Sequence, residues 1–407
     1  MINRYFVLSC TTLALLAGCK NHEVDAPQAE AAAAEEAPLI VKIGHAGQLT
    51  GPQAHLGKDN EHGVQLAIET LNAEHRVIGG RPVQFEMVSE DDEADPQKAT
   101  VAAQRLVDDQ VVGVVGHWNS GTTIPASAIY AKAGIPEISP SATNPTYTRQ
   151  GFKTAFRDVA NDTVQSQATG HFAIDVLKAK RIALIDDRSA ASQGQTDEFE
   201  RTVKALGGTI VSHEYTTDKS VDFRGILTNI KSAQPDLLFY GGMDAQAGPM
   251  LKQMHELGLK MPMLGADGMQ TPQLIALAGT EAAQGAYASS PGAQKDTLPG
   301  YAEFETRFRA RFNTDIQIYA PNSYDATMVL ANAMQAAGSV VPADYLPEVA
   351  KTDYVGITGH IGFDALGDLR NSPITVYQVQ GGADDMADAV EFFTVIHCFT
   401  NLKDASF

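Results

Sequence analysis

Three short stretches carry residue types suited to holding a charged small molecule, and each follows an apolar run. The first is Gly116-His117-Trp118-Asn119-Ser120-Gly121-Thr122-Thr123, where a strand pattern passes into a helix pattern. A helix N-terminus carries partial positive charge and unpaired N–H donors, which suits an anion. Ser and Thr in that place also cap helices, and both readings stand. The second is Ser139-Pro140-Ser141-Ala142-Thr143-Asn144-Pro145, again rich in hydroxyls at a strand end, where an ordinary turn uses the same residues. The third, Gly265-Ala266-Asp267-Gly268, sets a carboxylate after a strand in the second half of the chain, a place that turns also favour. Together they suit a zwitterionic amino acid: its carboxylate on hydroxyls and N–H groups, its ammonium on Asp267.

Bond-making chemistry has fewer footholds. There is no G-x-S-x-G elbow, G-x-G-x-x-G or H-E-x-x-H, and Gly57-Lys58 is followed by Asp59 rather than the hydroxyl of a phosphate loop. A reaction built on Ser120 and Asp267 would need a base beside Ser120, and His117 is the candidate. His45 and His117 otherwise read as hydrogen-bonded residues at strand ends. The run Glu90-Asp91-Asp92-Glu93-Ala94-Asp95 lacks calcium-loop spacing and reads as a solvated loop ending in a helix cap. With Cys398 as the one free thiol of a processed chain, a cysteine metal site is excluded; neither metal nor cofactor is expected.

The elements that must position these loops alternate. Apolar runs predict strands at 39–44, 82–89, 111–116 and 135–139, with helices at 60–72, 96–109 and 124–133 between them. A second series follows: helix 162–177, strand 181–185, helix 196–206, strand 209–214, helix 222–233, strand 236–240, helix 245–257 and strand 261–265. Such alternation means parallel sheets covered by helices on both faces, here in two lobes. A strand at 285–290, helices at 299–312 and 321–337, a hairpin at 359–368 and a strand at 374–379 complete those lobes rather than form a third. The expected division is 39–161 plus 290–369 for one lobe and 162–289 plus 370–382 for the other. In open parallel sheets the ligand crevice lies beyond the C-terminal strand ends, here between the lobes.

Of 407 residues, 44% are hydrophobic and 19% charged, a composition able to build full cores. The net charge of −19 argues against a nucleic-acid partner, which requires a basic face. Residues 1–18 read as an export signal, with Arg4 before an apolar stretch and Leu16-Ala17-Gly18 before Cys19. Those four residues resemble a bacterial lipobox, which would put a lipid on Cys19 and anchor the protein to a membrane in the periplasm of a Gram-negative cell. Residues 20–38, rich in Ala and Glu, read as a tether reaching roughly 25 Å. Cys10 would leave with the signal, and the 383–407 extension has no reading from sequence.

At these residues the chain resembles the leucine/isoleucine/valine-binding proteins of ABC transporters, over residues 39–382. The matching stretches are 47–57, 90–97, 114–148, 181–187, 236–245, 263–268 and 358–368, in order and spacing. The resemblance implies two Rossmann-like lobes joined by a three-crossover hinge, a type I periplasmic binding protein closing like a flytrap, with a membrane permease and its ATPase as partners. It also implies that Ser120, Ser141 and Thr143 hold the α-carboxylate, and that Thr143 and the Ser141 carbonyl join Asp267 around the ammonium. Ala142 and Tyr324 complete the expected contacts. Leu56, Met243 and Ala191 stand where relatives often carry aromatics, Trp118 replaces a smaller residue, and Glu93 and Asn119 occupy the places of a family disulfide. The function implied is capture of an aliphatic or branched-chain amino acid and its delivery to the permease. The competing reading is a flytrap that reports another amino acid or a small amide to a regulator.

Overall fold

The computed structural model describes residues 37–380 and 393–399. The expected signal, Cys19 and nearly all of the tether lie outside the described residues, as does most of the 383–407 extension. Among the described residues no helix is long and apolar enough to cross a membrane.

The first sheet contains β1 (Leu39–Gly47), β2 (Val77–Ile78), β3 (Arg81–Asp91), β4 (Gly113–Gly116), β5 (Glu137–Ser139) and β6 (Ala155–Arg157), in the order β2-β3-β1-β4-β5-β6. All its pairings are parallel except the short edge strand β2 against β3. The chain then builds β7 (Arg181–Asp186), β8 (Thr209–Tyr215), β9 (Leu237–Tyr240), β10 (Met263–Gly265) and β11 (Tyr287–Pro291). A separate hairpin, β12 (Tyr354–Gly356) and β13 (Gly359–Ile361), precedes β14 (Ile374–Val379) and β15 (Phe393–Phe399). The second sheet runs β15-β14-β11-β10-β9-β7-β8, parallel from β11 to β8 and antiparallel at β14 and β15.

Central strands read as unbroken apolar runs because helices cover both of their faces. In β4 and β9 every residue is buried. Successive side chains point to opposite faces, so Leu238 joins the core beside Met250 while Phe239 stacks on Phe199 across the sheet. Helices Tyr301–Phe312 and Ala320–Ala337 follow β11, yet their Phe304, Phe308 and Val329 enter the core of the first sheet with Val41 and Phe85. The chain therefore passes between the sheets after β6, after β11 and again before β14.

Three helices begin four or more residues earlier than their apolar spacing predicts, one of them Ala54–Ala73 against the expected 60–72. Helix Ser120–Ala133 starts four residues sooner because the Asn119 side chain accepts the N–H of Thr122, capping the hydroxyl-rich segment into a first turn. Helix Ala190–Ala205 starts six residues sooner because the Ser189 hydroxyl accepts the N–H of Ser192. Asp95 caps helix Pro96–Asp108 as its sequence predicts, accepting from Gln97 and Lys98. Helix Pro342–Ala350 and strand β6 have no counterpart in the sequence reading. Strand β15 gives part of the 383–407 extension a place: it adds an edge to the second sheet beside β14.

Candidate functional site

The three loops converge on one cavity between the sheets. It is lined by Leu56, Trp118, Ser120, Ser141, Thr143, Ala191, Met243 and Asp267, all singled out from sequence, and by Asn119, Gln195, Gly241, Gly242, Ala266, Gly268 and Tyr319. The space left inside is about 20 Å³, room for little more than one water, so the lobes must part to admit anything larger.

On the first-lobe side the cavity meets the first turn of helix Ser120–Ala133, whose leading N–H groups have no partner within the helix. Ser120 Oγ accepts the N–H of Asn144 at 3.1 Å, which docks the second loop on the first. The Ser141 hydroxyl donates to the Trp118 carbonyl at 2.6 Å and accepts from Asn60 at 2.8 Å. Its proton is thus engaged within the protein. Beneath this loop the buried Arg157 guanidinium donates to the carbonyls of Ala142 (2.6 Å) and Asn144 (2.9 Å) and pairs with Asp368 at 2.7 Å. That pair holds the loop's backbone in place.

Ala142 and Tyr324 do not reach the cavity. Ala142 is fully buried, its N–H donating to Ser139 Oγ and its carbonyl taken by Arg157. Tyr324 lies inside helix Ala320–Ala337, its ring edge-on to Phe304 and its hydroxyl on Thr70. The tyrosine that does line the cavity is Tyr319, which the sequence reading missed. Its position follows from Asp59, a buried carboxylate that accepts the N–H groups of Gln317, Ile318, Tyr319 and Ala320 at 2.7–3.0 Å. A carboxylate on the N-terminus of an 18-residue helix is a favourable arrangement, and it fixes the entering residue.

Asp267 also lines the cavity. Its Oδ1 accepts from Gln165 at 2.9 Å and Gln195 at 3.3 Å, and its Oδ2 accepts from the Tyr319 hydroxyl. Gln165 also donates to Ser289 at 2.8 Å, so the amide is fixed from both sides. Burial pushes the Asp267 carboxyl up to about 6, with the Gln165 hydrogen bond opposing. Neither glutamine stood out in the sequence: Gln165 lies within the helix pattern 162–177, and Gln195 lies just ahead of the pattern 196–206, in residues that the structure folds into helix Ala190–Ala205. Leu56, Trp118 and Tyr319 line the cavity and pack with Val159 in one apolar cluster, with Met243 against it. Gly268 lets Met243 pack closely: a Cβ there would stand 2.2 Å from the Met243 sulfur, which would have to shift.

Further contacts join the two lobes at the rim. His55 Nε2 lies 2.8 Å from Asp244, which also accepts from Thr271, and Asn144 donates to the Ala190 carbonyl at 2.7 Å. His117 is not a base for Ser120. It is fully buried, with Nδ1 on Asp92 (2.7 Å) and Nε2 on Tyr130 (3.0 Å). His45 likewise bonds the Val115 carbonyl at 2.9 Å. Among the described residues no group of three or more metal-ligating side chains forms.

A profile of the periplasmic binding protein family matches residues 40–384. The leucine-, isoleucine-, valine-, threonine- and alanine-binding protein of Pseudomonas aeruginosa is 32% identical over 338 residues, 83% of this chain and 89% of its own length. The crystal structure of a leucine-binding protein from Thermotoga maritima superposes with a TM-score of 0.80 at 26% identity, covering 88% of this chain and 99% of that one. A branched-chain amino acid transporter substrate-binding protein from Streptococcus pneumoniae, solved with isoleucine, gives 0.78 at 27% identity, covering 89% and 99%. The chain belongs to the periplasmic binding protein family, and its fold is the two-lobed α/β fold of that family.

Proposed function

We propose that this protein is the substrate-binding component of an ABC importer and captures a free aliphatic amino acid between its lobes. The observation that carries the reading is the pairing, within one cavity, of a helix N-terminus bearing Ser120 with the buried carboxylate of Asp267. The α-carboxylate of the ligand sits on Ser120 and Thr143 and nearby N–H groups; its ammonium sits on Asp267. The side chain lies on Leu56, Trp118, Met243 and Tyr319, an apolar floor with no charged group, which favours aliphatic ligands. The names of the relatives above, several of them leucine- or branched-chain-binding proteins, agree with this choice.

Ligand bridging both lobes stabilises closure, and a permease with its ATPase reads the closed face; no bond is made or broken. Cys19 carries the lipid, and the 20–38 tether holds the body beside the membrane in the periplasm. Calorimetric titration of the purified protein with each amino acid tests the reading. Saturable binding of leucine, isoleucine or valine without product is expected, and heat-silent titrations with every amino acid overturn it. Mass spectrometry of the exported protein checks the lipid on Cys19.

A further inference from the structure

We propose that Asp92 and His117 are positioning residues for ligand capture: their buried pair, braced by Tyr130, sets where Trp118 and Ser120 stand in the cavity. None of the three lines the cavity. His117 directly precedes Trp118, and both it and Asp92 are fully buried. The Asp92 carboxylate accepts from Nδ1 at 2.7 Å, which leaves Nε2 facing the Tyr130 hydroxyl at 3.0 Å.

Asp92 is itself anchored on every side. Its second carboxylate oxygen accepts the N–H of Ala94 at 2.9 Å, its own N–H donates to the Gly47 carbonyl at 3.0 Å, and its carbonyl accepts from Asp95 at 2.9 Å. The His117 carbonyl takes hydroxyls from Thr123 and Ser139, each at 3.1 Å. The residue before Trp118 is therefore tied to the loop after β3, to β5 and to helix Ser120–Ala133. The Trp118 carbonyl in turn accepts from Ser141, so the same brace reaches the second ligand loop. Removing one partner of a fully desolvated pair leaves the other uncompensated, and the ring turns to find a substitute. Such a turn moves the two residues that follow it.

This inference rests on the amino acid reading for what Ser120 and Trp118 bind, but not for where they stand. Trp118 is the only tryptophan of the chain, so its emission reports the loop directly. The test compares wild type, Asp92→Ala, Asp92→Asn and Tyr130→Phe by Trp118 emission without ligand, by L-leucine affinity and by thermal midpoint. Asp92→Ala is expected to shift the emission maximum and weaken leucine binding about tenfold or more, while Asp92→Asn, which still accepts from Nδ1–H, stays within about threefold. Tyr130→Phe keeps the pair and removes one brace; it is expected to shift emission less and serves if Asp92→Ala does not fold. A lower thermal midpoint with emission and affinity unchanged in both Asp92→Ala and Tyr130→Phe would make the pair merely structural and overturn the proposal. If wild type binds no leucine, the ligand-free emission still decides the positioning role, and the amino acid reading stands or falls on the full titration series.

Discussion

The hydroxyl of Tyr319 donates to the Asp267 carboxylate across the cleft, joining a residue held by the first lobe to one held by the second. Asp267 Oδ1 is already taken by Gln165 and Gln195, and Oδ2 by Tyr319, so the proposed ammonium would compete with Tyr319 for Oδ2. Without its hydroxyl, Tyr319→Phe loses a hydrogen bond to a charged acceptor, about 1.5–3 kcal/mol in favour of closure. Ligand-free protein should then open, with a larger radius of gyration in small-angle scattering. An unchanged profile would show that the bond does not govern closure.

Asp267→Asn keeps the shape of the cation site and removes its charge. Leucine affinity should fall by about 2–5 kcal/mol, since a buried ammonium is left without its counter-charge. Calorimetry on a variant of unchanged thermal midpoint reads this directly; equal affinity would refute the ammonium assignment.

The same carboxylate should make binding pH-dependent. Burial raises Asp267 to about 6, and only the ionised form pairs with an ammonium. Affinity should be flat above that value and fall about tenfold per pH unit below it, because each binding event must then displace a proton. In Asp267→Asn that dependence should vanish.

Stability should move in the opposite direction. Burial holds Asp162 up at about 8 and raises Asp158 and Glu137 well above the carboxylate range. A carboxyl raised in the folded state stabilises the fold below its unfolded value, and that stability is lost as pH rises through the folded value. Between about pH 8 and 6.5 the folded state therefore binds more protons, and the thermal midpoint should rise as pH falls through that window. Below it, His45, whose protonation burial opposes, begins to work the other way. A midpoint that falls from pH 8 to 6.5 would contradict the assignment.

Asp59 accounts for the position of Tyr319, so Asp59→Ala should disturb both fold and site. Four N–H groups lose their acceptor, a destabilisation of about 3 kcal/mol or more. Denaturant unfolding should show that loss, and Asp59→Asn, which keeps one acceptor oxygen, should recover part of it.

Much of this molecule is legible in one dimension. Strand runs and helix spacings are local, so the alternation, the two sheets and the loops bearing Ser120, Thr143 and Asp267 can be read from neighbours in the chain. The hydroxyl-rich segments were harder, because Asn119 and Ser189 turn them into helix starts through caps rather than apolar spacing. What surrounds Asp267 was decided in three dimensions. Gln165, Gln195 and Tyr319 come from segments 52 to 102 residues away, and only the packing of the lobes brings them to one carboxylate. Tyr319 and Tyr324 show the limit most clearly. Five residues on a helix advance the direction of a side chain by about 140°, so one ring faces the cleft and the other the first-lobe core. Which one lines the cavity depends on how Asp59, some 260 positions earlier, seats the helix that follows Tyr319.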